Sequence, residues 1–213
     1  MKATKGPLGE IEPKLLAPAS SIAGGGYTLA DYWQWADSAL LDNASRGVFA
    51  EFLVLTAVAG EPRTPRPAWD YVDLRVELDG RQVEVEVKSS AYVQSWGQTE
   101  VSKPVFDIRP TYRIHEDNTK SSEKRRWSDV YVFCLLAAKE ITSHREVLDV
   151  QNWRFYVVST AQLDRERPNQ QSVALGSLMS LEPIECPYED LRAAILSVIE
   201  KRDRTPTSRE SGG

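Results

Sequence analysis

Cysteine, histidine and methionine occur only twice each in this 213-residue chain. No Cys or His ligands lie close together, which argues against a zinc site on spacing alone. Cys134, in an apolar strand-like run, and Cys186, between Glu185 and Pro187, read as reduced cytosolic thiols rather than a disulfide framework. Long apolar runs are missing as well. None approaches the roughly 20 residues a spanning helix needs, so no membrane segment is expected. The start, Met1-Lys2-Ala3-Thr4-Lys5-Gly6-Pro7, has no apolar stretch behind its lysines and does not read as a secretory signal. Positive charge is in deficit: 26 Lys and Arg against 31 Asp and Glu leave a net charge of −5. That balance argues against non-specific coating of nucleic acid, which is driven by neutralising phosphates. It leaves room for a local basic patch. No internal repeat is visible, and the expected location is the cytoplasm.

A hydrophobic content of 41% with six tryptophans describes a folded protein with one sizeable core. Residues 1–26, rich in Gly, Pro, Ala and Ser, are expected to form a flexible arm; residues 27–200 form the domain; the polar residues 201–213 are expected to be disordered. Thr28 is a candidate N-cap for a helical pattern of Leu29, Tyr32, Trp33, Trp35, Ala36, Leu40 and Leu41. Asn43 or Ser45 opens a second helix, Arg46 to Ala59, stopped by Gly60 and Pro62. Ser89 to Trp96 reads as a turn or short helix, and Val105 to Ile108 as a short strand. Asp129 to Leu136 is nearly all apolar, as expected of a central strand buried on both faces. Trp153 to Val158 reads as another strand, Thr160 to Leu163 as a short helix, and Pro187 to Glu200 as an amphipathic helix. The tryptophans read mostly as core, with Trp96 beside Gly97 a candidate for stacking on a base. The fold class expected is α/β, a mixed sheet of four or five strands flanked by helices.

The most legible segment is Asp73 to Lys88. Two arms that alternate apolar and polar residues flank Asp79-Gly80, the strongest short hairpin signal. A two-residue turn there pairs Leu78 with Arg81, Val76 with Val83, Leu74 with Val85 and Asp73 with Glu86. All the aliphatic residues then share one face. The other face opposes two carboxylates, Asp73 and Glu86, whose repulsion costs about 0.2–1 kcal/mol unless a cation sits between them. Glu84 opposite Arg75 reads as a structural ion pair, and Asp70 falls on the opposite pleat parity.

Acid, then acid-x-lysine, on adjacent strands suits metal-assisted phosphodiester hydrolysis. Two hard oxygen ligands hold Mg²⁺ and leave room for water and a phosphate oxygen. Val87 points its side chain into the core, which frees its carbonyl as a further ligand. Lys88, on the face of Glu86, is placed to orient the water or stabilise the transition state.

Asp73 followed by Glu86-Val87-Lys88 resembles the PD-(D/E)xK superfamily, the restriction-endonuclease-like nucleases. The resemblance takes in Glu51, within Arg46-Gly47-Val48-Phe49-Ala50-Glu51, because many members carry an acid on the helix before the hairpin. It spans roughly Ala44 to Val158, and departs from the family pattern in having Val72 before Asp73. It implies a restriction-endonuclease-like core and a Mg²⁺-dependent hydrolase, with Mn²⁺ as substitute, acting as an endonuclease on DNA. Asp73, Glu86 and Glu51, with the Val87 carbonyl, would hold metal, and Lys88 would assist the water. Host defence or DNA repair follows by analogy alone.

Other residues carry two readings each. Glu51 rises from an apolar stripe, so its carboxylate needs a partner: Arg46 or another arginine, or the metal or water of the resemblance. Gln94 is either a substrate contact or an ordinary glutamine. Lys120, Lys124, Arg125 and Arg126 either form a solvated face or grip the phosphate backbone, with Arg109 and Arg113 assisting. His115 and His144 lack partner motifs. Without a sequence-reading module, a protein partner for targeting is expected, and cleavage of both DNA strands would call for a homodimer. The rival readings are a catalytically silent, nuclease-like subunit of a nucleic-acid-processing complex, and a metal-dependent hydrolase of a small phosphorylated substrate.

Overall fold

Asp79 and Gly80 both take positive φ, 52° and 77°. That pair of left-handed residues is what a two-residue turn between right-twisted strands demands. The computed structural model, which describes residues 13–67, 70–114 and 119–204, builds its sheet outward from this turn. The chain begins with a ribbon of β1 (Ser21–Ile22) and β2 (Tyr27–Thr28), then α1 (Leu29–Asp37), α2 (Asn43–Ala59), β3 (Leu74–Leu78) and β4 (Arg81–Ala91). There follow β5 (Val105–Asp107), β6 (Val130–Leu136), β7 (Trp153–Ser159), α3 (Thr160–Glu166), β8 (Ser172–Ala174), α4 (Leu175–Met179), β9 (Ile184–Cys186) and α5 (Leu191–Arg204).

The hairpin register is Leu74 with Val85, Val76 with Val83 and Leu78 with Arg81. β3 is the edge of a five-stranded mixed sheet ordered β3-β4-β6-β7-β9, in which β4 and β6 are parallel and the other pairs antiparallel. β6 lies at the centre and is buried along its whole length, which explains its unbroken apolar run. α2 and α5 cover one face, packing Ala50, Leu53, Val54 and Ile195 onto Val76, Val85, Val87 and Val132. The other face is covered by β5, β8, α3 and α4, with Phe106, Leu163 and Leu178 on Tyr131 and Phe133. The sequence pattern thus resolves into three layers, an α/β arrangement with helices on both sides of the sheet. Parallel pairing of β4 with β6 requires a long crossover. That crossover carries β5 and then the basic segment 109–126.

Several local expectations are corrected. α1 ends at Asp37, so Leu40 and Leu41 lie beyond it; Thr28 does cap it, in a reciprocal box with Asp31. The tryptophans are not mostly core. Trp153 is fully buried, whereas Trp33, Trp35 and Trp96 are exposed and Trp69 lies outside the described residues. Helical spacing identified an apolar stripe on α1, but α1 docks on the β1–β2 ribbon rather than on the sheet. Residues 89–91 are not a turn: they prolong β4, because the ladder to Cys134, Leu135 and Leu136 is available there. Val105–Asp107 is a strand, but it pairs with β8 in a separate two-stranded ribbon. Residues 13–26 hold a turn and β1. α5 runs on through Arg204, past the point where polar composition suggested disorder, and Arg202 anchors it to Asp129 at 2.5 Å. Residues 1–12, His115 and residues 205–213 lie outside the described residues. No helix among the described residues is long and apolar enough to cross a membrane.

Candidate active site

The hairpin register forces Asp73, Glu86 and Lys88 onto one face, and their side chains converge there. Lys88 Nζ lies 2.6 Å from Glu86 Oε1 and 3.7 Å from Asp73 Oδ2. The cation required between the opposed carboxylates is thus supplied by the chain itself. Asp73 Oδ2 also accepts the Val87 N–H at 2.8 Å, which ties the first acid to the strand bearing the other two groups. Val87 turns its side chain into the core. Asp70 faces elsewhere, in a two-pronged pair with Arg75, and Arg75 also reaches Glu84 at 3.4 Å.

Glu51 approaches from α2. Its carboxylate is buried and takes two hydrogen bonds from Arg66, Nε to Oε2 at 2.5 Å and Nη2 to Oε1 at 2.7 Å. The partner is therefore Arg66, from the proline-rich connection, and not Arg46, whose guanidinium bonds the Leu41 carbonyl, Asn43 and Gln94. Burial raises the Glu51 pKa against the opposing pull of Arg66, and Asp73 adds to the rise. Glu86 is pushed up to about 7, first by burial, with Lys88 opposing and Asp73 and Glu51 reinforcing. Burial alone would lower Lys88, but Glu86 and Asp73 outweigh it and its pKa rises. These mutual influences put the two strands and the helix into one electrostatic cluster. Excess negative charge in a poorly hydrated place is the condition that a hard divalent cation relieves.

Two side chains in this cluster carried no signal in the sequence. Tyr131 stands beside Glu86 across the parallel ladder, and its hydroxyl is kept protonated by burial and by that neighbour. Asp107, on β5, acts on Lys88 through space and pairs with Arg109 at 2.7 Å. Both belong to strands whose position beside β4 is a tertiary fact.

The donor chemistry fits Mg²⁺ or Mn²⁺, since all the acids offer hard oxygens. Their present arrangement is one of ion pairs: among the described residues no group of three or more Asp, Glu, His or Cys side chains is set to hold a metal ion.

The expected substrate contacts divide. Gln94 turns inward, its amide donating to the Ala91 carbonyl at 2.9 Å and its oxygen meeting Arg46 at 3.4 Å. It links the segment after β4 to α2. Arg126 is corrected outright. Its side chain is fully buried and bonds the carbonyls of Ile108, Arg167 and Gln170 together with Asp164. A guanidinium enclosed in that way has no face left for a phosphate. Lys120, Lys124 and Arg125 are exposed. They sit on an irregular ribbon closed by bridges between Thr111 and Arg125 and between Ile114 and Lys120. Lys120 and Lys124 lie over the Tyr112 ring, and Arg125 lies 4.0 Å from the centre of Trp127.

Tyr71 joins this ribbon to the hairpin. Arg113 and Arg75 both lie over its ring, Trp127 meets it edge-on at 6.3 Å, and its hydroxyl donates to Glu84 at 2.5 Å. The basic ribbon is thereby anchored next but one in sequence to Asp73. A separate open depression of about 700 Å³, lined by Tyr92, Lys103 and Leu175 among others, includes none of the acids.

No family model matches the chain, and no curated protein does. Among solved structures, a bacterial homing endonuclease is similar over 78% of this chain and 96% of its own, at 19% identity and a TM-score of 0.38. An overlap that loose carries no functional argument.

Proposed function

We propose that this chain is a divalent-metal-dependent nuclease that hydrolyses DNA phosphodiester bonds. The observation that carries the reading is the ammonium of Lys88 held between Glu86 on β4 and Asp73 just before β3, with Glu51 brought into the same field by α2. Asp73 and Glu86, joined by Glu51 and the Val87 carbonyl, are the groups that would hold Mg²⁺, with Mn²⁺ as substitute. When bound, the metal would acidify a coordinated water and offset charge on the phosphorane. Lys88 donates to the attacking water and to the oxygens on which charge grows. Arg66 holds the Glu51 carboxylate at a fixed angle, the positioning such a site needs. Lys120, Lys124 and Arg125 bind the phosphate backbone, and Tyr71 keeps their ribbon beside the acids.

The test is cleavage of plasmid, linear and single-stranded DNA with Mg²⁺, Mn²⁺ or EDTA, repeated with Glu86→Ala and Lys88→Ala. Metal-dependent cleavage that both variants abolish is the expected result. Full cleavage by both variants would sink the site assignment.

A second reading, a catalytically silent nuclease-like subunit, draws on the same ion pairs. Glu51 on Arg66 and Glu86 on Lys88 each have a cationic partner without metal. Titration with Mn²⁺ separates the two: saturable binding lost in Glu86→Ala favours the nuclease, and no binding favours the silent subunit.

A further inference from the structure

The basic segment is braced against the body of the protein, yet one of its rings is left in water. Thr111 and Arg125 exchange two backbone hydrogen bonds at 3.1 Å, and Arg113 and Ser121 are joined by two more, at 2.9 and 3.1 Å. The Trp127 indole N–H donates to the Thr111 carbonyl at 2.8 Å, and the Arg113 guanidinium lies 3.8 Å from the centre of the Tyr71 ring. None of these restraints uses the side chain of Tyr112. Its ring is 44% exposed and, among the described residues, meets no other aromatic ring. Two ammonium groups attend it instead, Lys124 Nζ at 5.2 Å and Lys120 Nζ at 5.9 Å from its centre. Both lysines are exposed, and neither has a carboxylate partner among the described residues. Ile114, two residues further on, is 56% exposed.

An exposed ring on a braced backbone, with free cations at its margin, suits a ligand that has both a flat face and phosphates. Every nucleobase offers such a face, and cations beside the ring can meet the phosphates that flank it. In a duplex those faces are covered by the neighbouring base pairs, so a protein meets only backbone and groove edges. A duplex would therefore use the two lysines and leave Tyr112 and Ile114 in water. The charge balance of the chain points the same way. At a net charge of −5, attraction to phosphate is limited and is weakened by salt. Stacking is far less sensitive to salt, and it adds affinity that Lys120 and Lys124 do not supply.

We propose that Tyr112, with Lys120 and Lys124, is a base-stacking site, and that the nucleic acid held there is a single strand. The inference rests on the nuclease reading and deepens it by naming the form in which the substrate is presented. Tyr71 ties this segment to the hairpin two residues before Asp73, so a strand held at Tyr112 lies beside the element that carries the acids. The recognising chemistry, a base face and its flanking phosphates, is common to DNA and RNA strands, and the substrate is taken as DNA.

Fluorescence anisotropy in EDTA, with labelled oligo(dT), a duplex and an abasic strand of equal length, tests it without any cleavage. The full chain should bind oligo(dT) more tightly than either of the others. Tyr112→Ala should weaken oligo(dT) binding by about 5- to 150-fold, the range for loss of one stacked base. Its affinity for the duplex and the abasic strand, and its salt slope, should stay as they were. Trp35→Ala, which removes the 83% exposed ring on α1, should change nothing. Should Tyr112→Ala fail to fold, Tyr112→Trp decides: it should keep the affinity, and oligo(dT) should quench its added indole emission. A parent protein that prefers the duplex overturns the proposal. So does a Tyr112→Ala variant that binds oligo(dT) as the parent does, or one that loses duplex and oligo(dT) binding alike. Tighter Tyr112-dependent binding of oligo(rU) than of oligo(dT) overturns the choice of DNA. Stacking by a protein that never cuts DNA keeps this inference and removes the nuclease reading, and full-rate duplex cleavage by Tyr112→Ala does the reverse.

Discussion

The β3–β4 hairpin and the basic segment at 109–127, held by two isolated bridges, are both charged and are neighbours through Tyr71, yet their charges behave in opposite ways. In the hairpin, Asp73, Glu86 and Lys88 are each about one-fifth to one-quarter exposed; burial raises the Glu86 pKa, and at Lys88 the pull of Glu86 and Asp73 outweighs burial. In the ribbon, Lys120, Lys124 and Arg125 are exposed and lie over aromatic rings. Identical unit charges interact several-fold more strongly where water is scarce, and salt screens them less. Buried charge therefore suits chemistry at one point, whereas exposed charge suits reversible attraction to a polyanion. Arg126, at the ribbon's base, does neither: its side chain is fully buried and is taken up by Asp164 and by the carbonyls of Ile108, Arg167 and Gln170.

The contrast breaks most visibly at Lys88. Lys88→Ala should lower DNA cleavage by about 10²–10⁴-fold, the range for a group acting directly on the reacting atoms, and added salt should not mask the loss. Equal rates for the variant and the parent protein would remove Lys88 from the mechanism.

The second effect is on stability against pH. Because the Glu86 pKa is raised in the folded state, the fold binds this proton more tightly than the unfolded chain does. The associated stability is complete below the ordinary carboxylate range and is lost as pH rises through about 7. Thermal unfolding without metal should show a falling melting temperature across that window, and Glu86→Gln should flatten the fall. A melting profile identical in the two proteins would contradict the burial of charge at this position.

Arg66→Ala should come next, destabilising the fold by about 1–2 kcal/mol. It leaves the Glu51 carboxylate buried and unpaired, and the 44% exposure of Arg66 keeps the loss below the limit for a fully buried pair. Denaturant unfolding measures it, and Arg66→Lys should restore only part of the loss because the two-pronged geometry is gone.

The ribbon gives the smallest and most graded effects. Each of Lys120→Ala, Lys124→Ala and Arg125→Ala should weaken DNA binding modestly and reduce the slope of log affinity against log salt by about 1. Filter binding at several salt concentrations reads this directly. Loss of cleavage with an unchanged salt slope would move these residues from binding to catalysis.

The two regions were also unequally legible in the sequence. The hairpin announces itself, since strict alternation and Asp-Gly specify strand, turn and register together, and register decides which side chains share a face. The pairing of Arg75 with Glu84 follows from that same register, whereas Asp70 lies outside β3 and is drawn to Arg75, a contact that pleat parity did not indicate. Glu51 could be seen to need a partner, because it stands on an apolar stripe. That the partner is Arg66 could not be seen, because the connection between Ala59 and Leu74 has no period to project. β8, α4 and β9 passed unrecognised for a similar reason: elements of three to five residues are too short to express a period. The α1 tryptophans failed in another way, for helical spacing shows that an apolar face exists but not what covers it.

Local covalent rules and periodicity thus determined the hairpin, its turn, the face shared by Asp73, Glu86 and Lys88, and the central apolar strand β6. Only the tertiary structure decided that α2 carries Glu51 into that cluster, that Tyr131 and Asp107 border it, and that Arg126 belongs to the interior rather than to a ligand. The division has a physical origin. A strand's pleat relates residues a few positions apart with near certainty, whereas contacts between distant segments depend on how the layers pack, and no local pattern encodes that.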